Sequence, residues 1–501
     1  MCLVARTYLL SLLSLLVVCA ACGQSSRPGL PSGSPFADTE QSSMKVLSYG
    51  MAVGDVSDHS AVIWVKTNGV AKVTIEHWPA TPRRESNAPQ KGEESQVRRS
   101  TLETIADHDY TLHILLRDLL PATRYEIRIQ AQSEQTDPAQ DMLNPAPKTI
   151  AEKLHGEFRT LVAPMAHETV TLGWSADIGG QAHCRHGGPG YPIFDVARME
   201  ALDFFLLLGD TVYADEICPV PPNAPGSEFR AVTLEEYRAK HRYQRGSTAF
   251  QRFLASVPVY VVWDDHEVRN NFAGPFDPQM PIGRQALFDY WPIGTSADDP
   301  HRLYRRLRAG ADLEVFILDT RQYRSRNSSP DGPMKTMLGE AQLKWLLEGL
   351  EDSSATWKII ASSVPLSVPK AGPPHEPGND GWAGAPDGTG FETELKTIAE
   401  RIVSRRIRNV VWLTADVHFV QATAYDADRD GALDFHEFVA GPLSAASKRM
   451  VAARSPFAVR TLVSEGGYLN FGKVRVDKTS FEVTIIDDVG KTRFRHRVVS
   501  R

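Results

Sequence analysis

The 501-residue sequence has few cysteines, no excess of basic residues and no visible internal repeat. Its 55 lysines and arginines are outnumbered by 61 aspartates and glutamates, for a formal net charge of -6. This balance gives no general electrostatic reason to bind a polyanion and argues against nucleic acid as an obligate partner. With 42% hydrophobic and 23% charged residues the composition is typical of a folded globular protein, and the length predicts two or more domains.

The amino terminus resembles an export signal. Arg6 precedes an apolar run from Tyr8 to Ala21 that is too short to span a bilayer comfortably. The small residues before Cys22 resemble a bacterial lipoprotein processing site, so we expect residues 1–22 to be a signal peptide with Cys22 lipidated. Plain secretion with cleavage nearby is the alternative, because Cys19 stands where such sites usually carry leucine. The expected location is the cell envelope, lipid-anchored to the periplasmic or extracellular face of a bacterial membrane.

The rest of the chain falls into three parts with different patterns. Residues 23–44 are rich in Ser, Gly and Pro and predict a flexible tether. Residues 45–162 alternate apolar and polar residues in short segments and predict a small all-β domain that resembles a fibronectin type III module. In residues 163–501 strands alternate with helices, for example the helical pattern from Leu234 to Arg245 before the strand pattern from Val259 to Trp263, which predicts an α/β domain.

Cys184 and Cys218 remain once the amino-terminal segment is set aside. An exported protein folds in an oxidising compartment, where such a pair is expected to form a disulfide. Both residues follow acidic strand ends, so a bridge would join two loops near those ends. Two separate buried thiols are the alternative.

Four apolar runs that predict buried strands end on acidic residues, or on acidic residues and a histidine. They lead into Asp177, into Asp210, into Asp264 to Glu267, and into Asp416 to His418. Single buried charges are costly to desolvate, so these groups are expected to converge on something that compensates their charge. A centre of two metal ions is the simplest compensator, because hard and borderline cations prefer carboxylate and imidazole ligands.

The order of these motifs resembles that of the metallophosphoesterase superfamily. More closely, the segments Leu208 to Asp215, Trp263 to Asn271, Leu318 to Arg321 and Thr414 to His418 are similar to those of the alkaline phosphatase D, or PhoD-like, family. The resemblance extends from about Val46 to the carboxyl terminus, because family members also carry a β-sandwich domain before the phosphatase domain. It implies a layered β-sandwich flanked by helices in the predicted α/β domain.

The resemblance implies a metal-binding role for six residues. Asp210 would bridge two ions, and Tyr213 would lie where the family places a phenolate ligand to ferric iron; a turn aspartate and a core tyrosine are the alternatives. Asp416 and His418 are two residues apart and are expected to face the same way at a strand end. The expected ligands are Asp177, Asp210, Tyr213, Asp265, Asp416 and His418.

Asp177 marks a departure from the family pattern. Members with a cysteine at this strand end use it as an iron ligand, whereas this chain has Ala176 in the place of the cysteine and Asp177 beside it. We expect Asp177 to supply a carboxylate instead. A ligand set of oxygen and nitrogen atoms also suits several other metals. The expected cofactors are two or more metal ions, which by resemblance are Fe(III), Ca(II) or both, with Mn or Zn as alternatives.

The resemblance assigns catalytic roles to two further residues. His266 would lie beside the phosphate, where a protonated imidazole could stabilise the transition state or protonate the leaving alkoxide. Arg321 follows a predicted strand, and its guanidinium would bind the substrate phosphate; a surface salt bridge is the alternative. Asp264 and Glu267 are expected to support the ligands rather than to bind metal.

A second acidic motif fits the loop that binds calcium in EF-hands. Its flanks, however, are predicted strands rather than helices, so an ordinary polar connection explains the segment without calcium. The residues at its ligand positions are Asp426, Asp428, Asp430, Asp434 and Glu437.

The sequence therefore predicts an exported phosphoesterase that hydrolyses phosphomonoesters, phosphodiesters or both, with metal-activated water at a multi-metal centre. Its partners would be small phosphate-ester substrates and, through the lipid anchor, a membrane, and the chain is expected to be a monomer. The alternative from another class is an envelope binding protein that keeps this scaffold but has weak or no catalysis. A broken ligand set would favour that alternative.

Overall fold

The computed structural model describes residues 45–80, 97–135, 148–370, 372, 378–384 and 386–501. The predicted signal peptide, Cys22 and the predicted tether lie outside the described residues. In the described part of the chain, no helix combines the length and the apolar character needed to cross a membrane.

The described residues form strands β1 to β20 and helices α1 to α6. The strands are β1 Met51–Gly54, β2 Ala61–Lys66, β3 Lys72–Pro79, β4 Arg98–Glu103, β5 Thr111–Leu116, β6 Arg124–Gln135, β7 Lys148–Arg159, β8 Val170–Ser175, β9 Phe204–Leu208, β10 Val259–Val262, β11 Arg305–Ala309, β12 Leu313–Ile317, β13 Trp357–Ala361, β14 Val410–Thr414, β15 Val420–Asp426, β16 Phe435–Val439, β17 Ala458–Glu465, β18 Asn470–Val476, β19 Ser480–Asp487 and β20 Thr492–Val499. The helices are α1 Ile193–Met199, α2 Leu234–Arg245, α3 Thr248–Leu254, α4 Met280–Tyr290, α5 Gly339–Asp352 and α6 Glu392–Ser404.

Two large sheets face each other across the main hydrophobic core. The first has the order β20-β19-β18-β8-β9-β10-β1-β2-β5, with β8, β9 and β10 parallel. The second has the order β11-β12-β13-β14-β16-β15-β17, with β12, β13, β14 and β16 parallel. Leu206 of β9 and Val315 of β12 belong to the same core. Strand β9 is apolar along its whole length because both of its faces are buried.

Helices cover the outer faces of the two sheets. Leu346 of α5 and Ile398 of α6 pack with Trp412 of β14 in a second core on the outer face of the second sheet. Phe194 of α1 stacks on Phe250 of α3, and both rings belong to the main hydrophobic core. The structure is thus the mixed α/β, sheet-rich fold that was predicted.

The first described strands divide between two sheets. Strands β4, β3, β6 and β7 form a separate four-stranded sheet, which encloses its own core with β1, β2 and β5. Strand β1 is also a neighbour of β10, through Gly54 and Val259, so the nine-stranded sheet runs from one predicted domain into the other. The boundary between residues 162 and 163 and the likeness of the first domain to fibronectin type III stay predictions.

The parallel strands place all four acidic motifs at the same end of the fold. Strands β8, β9 and β10 of the first sheet and β14 of the second each lead directly into one motif. Because the carboxyl ends of parallel strands lie at one edge, the loops that follow them converge above the core.

Candidate metal centre

The side chains that follow these four strands meet in one buried cluster. Ligand atoms of Asp177, Asp210 and His418 lie within 4.8 Å of one another. The same holds for Asp210, Asp265 and His266, and for a third group with the members Asp210, Asp264, Asp265 and Asp416. Asp210 is common to all three groups and is 1% exposed. Its predicted place between two ions therefore fits the geometry.

Four of these residues adopt a left-handed backbone conformation, which is uncommon outside glycine. The φ angles are 67° for Asp177, 49° for Asp210, 72° for Asp416 and 61° for His418. Such conformations persist where the surrounding structure fixes them, and they concentrate at functional sites. Here they turn the chain sharply at each strand end, so the side chains face one centre.

Asp177, Tyr213 and His418 form the first side of the cluster. Oδ1 of Asp177 lies 3.2 Å from Nε2 of His418 and 3.4 Å from the hydroxyl of Tyr213, which is 3.1 Å from the same nitrogen. The other ring nitrogen of His418, Nδ1, is 2.5 Å from the carbonyl oxygen of Ala446. A carbonyl oxygen only accepts, so Nδ1 carries the proton and Nε2 is left as a ligand atom.

Ala176 and Asp177, where this chain departs from the family pattern, lie in different environments. The side chain of Ala176 belongs to the main hydrophobic core, whereas Asp177 is fully buried in the acidic cluster. The expectation that Asp177 supplies a carboxylate at this strand end agrees with these positions. Gly441 lies against it, since a Cβ atom at this glycine would be 2.8 Å from Oδ2 of Asp177.

Four buried carboxylate oxygens of the cluster have no hydrogen bond from any described residue. These are Oδ2 of Asp177, Oδ2 of Asp264, Oδ1 of Asp265 and Oδ2 of Asp416. Buried polar atoms are almost always paired, and several unpaired carboxylate oxygens in one buried cluster are an arrangement that bound cations would satisfy. The residues present therefore fit a centre of hard or borderline metal ions.

The local charge balance agrees with this interpretation. Acidic side chains outnumber basic ones in the cluster, and burial with the nearby charges of Asp265 and Asp264 raises the pKa of Asp210 well above its usual value. Burial and the charges of Asp210 and Asp177 likewise raise the pKa of the Tyr213 phenol. A bound cation would reverse both effects, because it stabilises the anionic form of each group.

Glu267 fixes the backbone around the cluster and does not belong to the three ligand groups. Its carboxylate accepts hydrogen bonds from the backbone N–H groups of Asp210, Thr211 and Asp264, at 3.1, 2.7 and 3.0 Å. It thus ties the loop after β9 to the loop after β10. Gly283 of α4 packs closely here, since a Cβ atom would lie 2.6 Å from the carbonyl oxygen of Glu267.

His266 lies beside the cluster in a fixed orientation. Its Nδ1 is 2.7 Å from Oδ1 of Asp215, and its ring stacks on Tyr213 with centroids 4.2 Å apart. Burial alone would lower the pKa of His266, but the charges of Asp215 and Asp265 raise it to about 10. The pair with Asp215 keeps the proton on Nδ1, so Nε2 is the atom that can face a substrate. The sequence motif contained Asp215, but no role was predicted for it.

Arg321 lies in a different environment from the one predicted. The side chain is fully buried, Nε donates to Asp264 at 2.7 Å, and the two terminal nitrogens donate to Asp380 at 2.6 and 2.7 Å. The alternative prediction, a surface salt bridge, is therefore wrong, because Asp264 and Asp380 are also buried. The guanidinium binds two protein carboxylates, so contact with a substrate phosphate stays a prediction that these hydrogen bonds do not support.

Lys370 and Asp380 belong to the same network and were missed by sequence reasoning. Nζ of Lys370 contacts Asp416 and lies 3.5 Å from Oδ2 of Asp380. The charges of Arg321 and Arg324 overcome burial and lower the pKa of Asp380 to about 2. Both residues stand in a long loop after β13 without a recognisable motif, so no local signal pointed to them.

The predicted disulfide partners are bonded. Cys184 and Cys218 have Cα atoms 5.8 Å apart and are separated by 34 residues. Cys184 lies in the connection after β8 and Cys218 in the connection after β9. The bridge therefore joins the two loops that begin with Asp177 and Asp210.

The second acidic motif is only partly assembled. Asp426, Asp428 and Asp434 bring ligand atoms within 4.8 Å of one another. Glu437 lies in the fully buried interior of β16, where it binds Tyr425, Thr414 and the backbone of Leu366. The flanks are β15 and β16, as predicted. The group holds three of the five predicted ligands, Asp430 and Glu437 being absent from it, and calcium binding stays a prediction.

A cavity of about 150 Å³ adjoins the cluster. Its lining includes Arg269, Asn271, Phe276 and Arg326. The backbone N–H of Asn271 donates to Oδ2 of Asp265 at 2.7 Å, which connects the wall of the cavity to the acidic side chains. The guanidinium of Arg326 lies 4.2 Å from the centre of the Phe276 ring. The lining of the cavity therefore has polar and charged groups of both signs, including Asp277, which pairs with Arg269, and it is connected to Asp265 through Asn271.

Comparison with known proteins agrees with this geometry. Residues 175–485 match the PhoD-like phosphatase family, and residues 33–142 match the PhoD-like phosphatase N-terminal domain. The chain is 27% identical over 417 residues to alkaline phosphatase D of Bacillus subtilis (strain 168), an alignment that covers 76% of this chain and 65% of that relative. Less than two thirds of the relative's length is therefore matched.

Two solved structures have a similar fold. The structure of PhoD has a TM-score of 0.69 and 21% identity, and the match covers 91% of this chain and 92% of that one. A purple acid phosphatase from yellow lupin (Lupinus luteus) seeds has a TM-score of 0.58 and 12% identity, with 90% of this chain and 74% of the other covered. The family match spans most of the chain and includes every strand end that carries a cluster residue, and the chain belongs to the PhoD-like phosphatase family.

Proposed function

We propose that this protein is an exported, metal-dependent phosphoesterase that hydrolyses phosphomonoesters, phosphodiesters or both. One observation carries the proposal: Asp177, Asp264, Asp265 and Asp416 each have an unpaired carboxylate oxygen, and each shares a candidate ligand group with the buried Asp210. Membership of the PhoD-like phosphatase family supports phosphate esters as the substrate class. Bound metal ions would supply water activation and neutralise charge on the phosphate oxygens.

The ligand geometry supports two neighbouring metal positions. Asp177, Tyr213 and His418 would hold one ion, and Asp265 with Asp416 would hold the other. Asp210 would serve both, since it is within 4.8 Å of ligand atoms on each side. Asp264 also offers a free oxygen, which differs from the purely supporting role predicted for it.

The identity of the metals depends on Asp177 and Tyr213. A carboxylate in place of a thiolate leaves oxygen and nitrogen ligands, which suit Fe, Ca, Mn or Zn. If Tyr213 binds Fe(III), the iron-loaded protein should be coloured and Tyr213→Phe should be colourless with its fold unchanged. An iron-loaded protein without phenolate absorption would remove Tyr213 from the ligand set.

His266 is proposed to act on the leaving group. Its Nδ1–H is held by Asp215, and its ring is held flat against Tyr213. Nε2 is then the atom available to donate a proton to the departing alkoxide or to hydrogen-bond a phosphate oxygen. Arg321 is proposed to position Asp264 through its Nε hydrogen bond rather than to bind the substrate.

The cavity beside Asp265 is the proposed site for the alcohol portion of the substrate. Arg326 and Phe276 at its wall could contact an anionic or aromatic group there. Replacing Arg326 by Ala should then raise KM more than it lowers kcat, with metal content unchanged. If the KM and kcat of this variant equal those of wild type with both phosphomonoesters and phosphodiesters, the assignment is wrong.

Export, lipid anchoring at Cys22 and a monomeric state remain parts of the proposal. The disulfide between Cys184 and Cys218 supports folding in an oxidising compartment. Labelling of the full-length chain with a lipid precursor in a bacterial host would test the anchor, with Cys22→Ala as the unlabelled control.

The activity is tested with purified protein that has been stripped of metal. It is reloaded separately with Fe, Ca, Mn or Zn and assayed with p-nitrophenyl phosphate and bis-p-nitrophenyl phosphate. Wild type should turn over at least one substrate with at least one metal, and Asp210→Asn should not. Asp118→Asn is a matched control, because Asp118 is exposed and far from the cluster in sequence. An absence of turnover with every metal would favour the binding-protein alternative.

A further inference from the structure

The ammonium group of Lys370 lies among three acidic side chains at the edge of the cluster. Nζ contacts Oδ1 of Asp416, and it is 3.5 Å from Oδ2 of Asp380 and 3.8 Å from Oδ2 of Asp265. All three carboxylates are buried, whereas the Lys370 side chain is 23% exposed. The ammonium thus contacts buried carboxylates, although part of the Lys370 side chain is exposed.

The backbone holds Lys370 in this place. Its N–H donates to Oδ1 of Asn379 at 2.6 Å, and its carbonyl oxygen accepts from the N–H of Asp380 at 2.9 Å. Asp380 is itself fixed by Arg321 and by Arg324, at 2.6 and 2.9 Å. Two backbone hydrogen bonds therefore hold Lys370 in place, and Asp380, one of the acids that it faces, is itself fixed.

Two of these acids are shared with the candidate metal centre. Asp265 and Asp416 belong to the group that includes Asp210 and Asp264. In each of the two shared acids one oxygen faces Lys370, while the other, Oδ1 of Asp265 or Oδ2 of Asp416, has no hydrogen bond from a described residue. Each of these two carboxylates thus directs one oxygen to the Lys370 ammonium and keeps the other available for a metal ion.

We propose that the Lys370 ammonium is a built-in cation that fills one cation position of the cluster, bounded by Asp265, Asp380 and Asp416. Metal ions are then confined to the open side, around Asp210. Removal of the lysine charge leaves three carboxylates facing one point with fewer cations to compensate them. Such an all-oxygen set suits a hard divalent ion such as Ca²⁺ or Mn²⁺.

The inference rests on the metal centre proposed above, but its readout is the number of bound ions rather than activity. Lys370→Met and Lys370→Ala remove the charge, and Lys370→Arg keeps it. Lys344→Met is the matched control, because Lys344 is 72% exposed and pairs with Glu348 on α5. Each full-length protein is titrated with calcium chloride alone or manganese chloride alone by calorimetry, and bound metal is counted by mass spectrometry after dialysis.

Lys370→Met and Lys370→Ala should each bind about one more divalent ion per chain than wild type, since a vacated oxygen site of this charge attracts a hard cation. Lys370→Arg and Lys344→Met should bind the same number as wild type. If both neutral variants hold the wild-type number of ions, the inference is overturned while the metal centre stands. If neither wild type nor the neutral variants bind Ca²⁺ or Mn²⁺, the inference is overturned, whereas the proposed function is decided separately by the activity assay with all four metals.

Discussion

Nε2 of His418 lies 3.2 Å from Oδ1 of Asp177, although the two residues follow strands of different sheets. His418 comes after β14 of the seven-stranded sheet and Asp177 after β8 of the nine-stranded sheet. The contact therefore joins the carboxyl ends of the two sheets above their common core. A metal ion at this point would be held by two rigid scaffolds at once, which favours a well-defined coordination geometry.

The first prediction concerns which residue at the end of β8 can reach the metal. Asp177→Cys should place a thiol in the cluster, whereas Ala176→Cys should place it in the hydrophobic core. Loaded with Co(II), only Asp177→Cys should show thiolate-to-metal charge-transfer absorption, because only a coordinated thiolate gives that band. The same band in Ala176→Cys, and not in Asp177→Cys, would mean that the ligand position has been misassigned.

The second prediction separates catalysis from metal binding at His266. His266→Ala should lower kcat by about 100-fold or more, the usual contribution of a positioned proton donor, while bound metal stays near the wild-type level. Asp215→Asn should lower kcat less, since it leaves the imidazole in place and removes only the charge and the hydrogen-bond acceptor at Nδ1. His167→Ala is the control, because His167 also pairs with an aspartate, Asp312, but away from the cluster. Loss of metal from His266→Ala would make His266 a ligand instead.

The third prediction concerns Gly441. In Gly441→Ala the new Cβ atom would lie 2.8 Å from Oδ2 of Asp177, at a backbone φ of 137° that other residues rarely adopt. Displacement of this carboxylate should weaken metal binding about 10-fold or more. Gly467→Ala is matched for backbone strain, with φ 91°, but has open space around it. If both variants bind metal alike in a titration, the contact with Asp177 has no part in holding the ion.

The fourth prediction concerns the bridge between the two site loops. Replacement of Cys184 and Cys218 by serine opens a loop of 34 residues and should lower the free energy of unfolding by about 3 to 4 kcal/mol. The double variant should also bind metal more weakly, because the loops with Asp177 and Asp210 lose their connection. In denaturant unfolding, the free energy of unfolding of the variant should equal that of wild type measured with a reductant present. Equal stability with and without reductant would show that the bridge does not form.

Much of the fold could be predicted because its signals are local. Helix α2 has the predicted bounds and begins with a capping box formed by Thr233 and Glu236, and strand β10 begins at the predicted residue, Val259, and is an uninterrupted apolar run. The cluster residues could be predicted because each follows a buried strand directly. Helix α4 gave a weaker signal, since no side chain caps its first turn and it contains Gly283.

The remaining features depend on contacts between distant parts of the chain. The position of Lys370 beside Asp416 follows from a loop path that no periodicity encodes. The burial of Arg321 depends on Asp380, which lies 59 residues away in sequence. The pairing of β1 with β10 is equally non-local. Local patterns thus located Arg321 and the acids that directly follow buried strands, but not Lys370, Asp380 or the contacts that bury Arg321.

The most direct test of the account is anomalous diffraction from crystals of the protein grown with the metal that supports the highest turnover. The account predicts one anomalous peak bounded by Asp177, Asp210 and His418, and a second bounded by Asp210, Asp265 and Asp416. Both peaks should be absent from crystals of a folded Asp210→Asn variant. A wild-type protein that is active with that metal but shows no anomalous peak in the cluster would contradict the account.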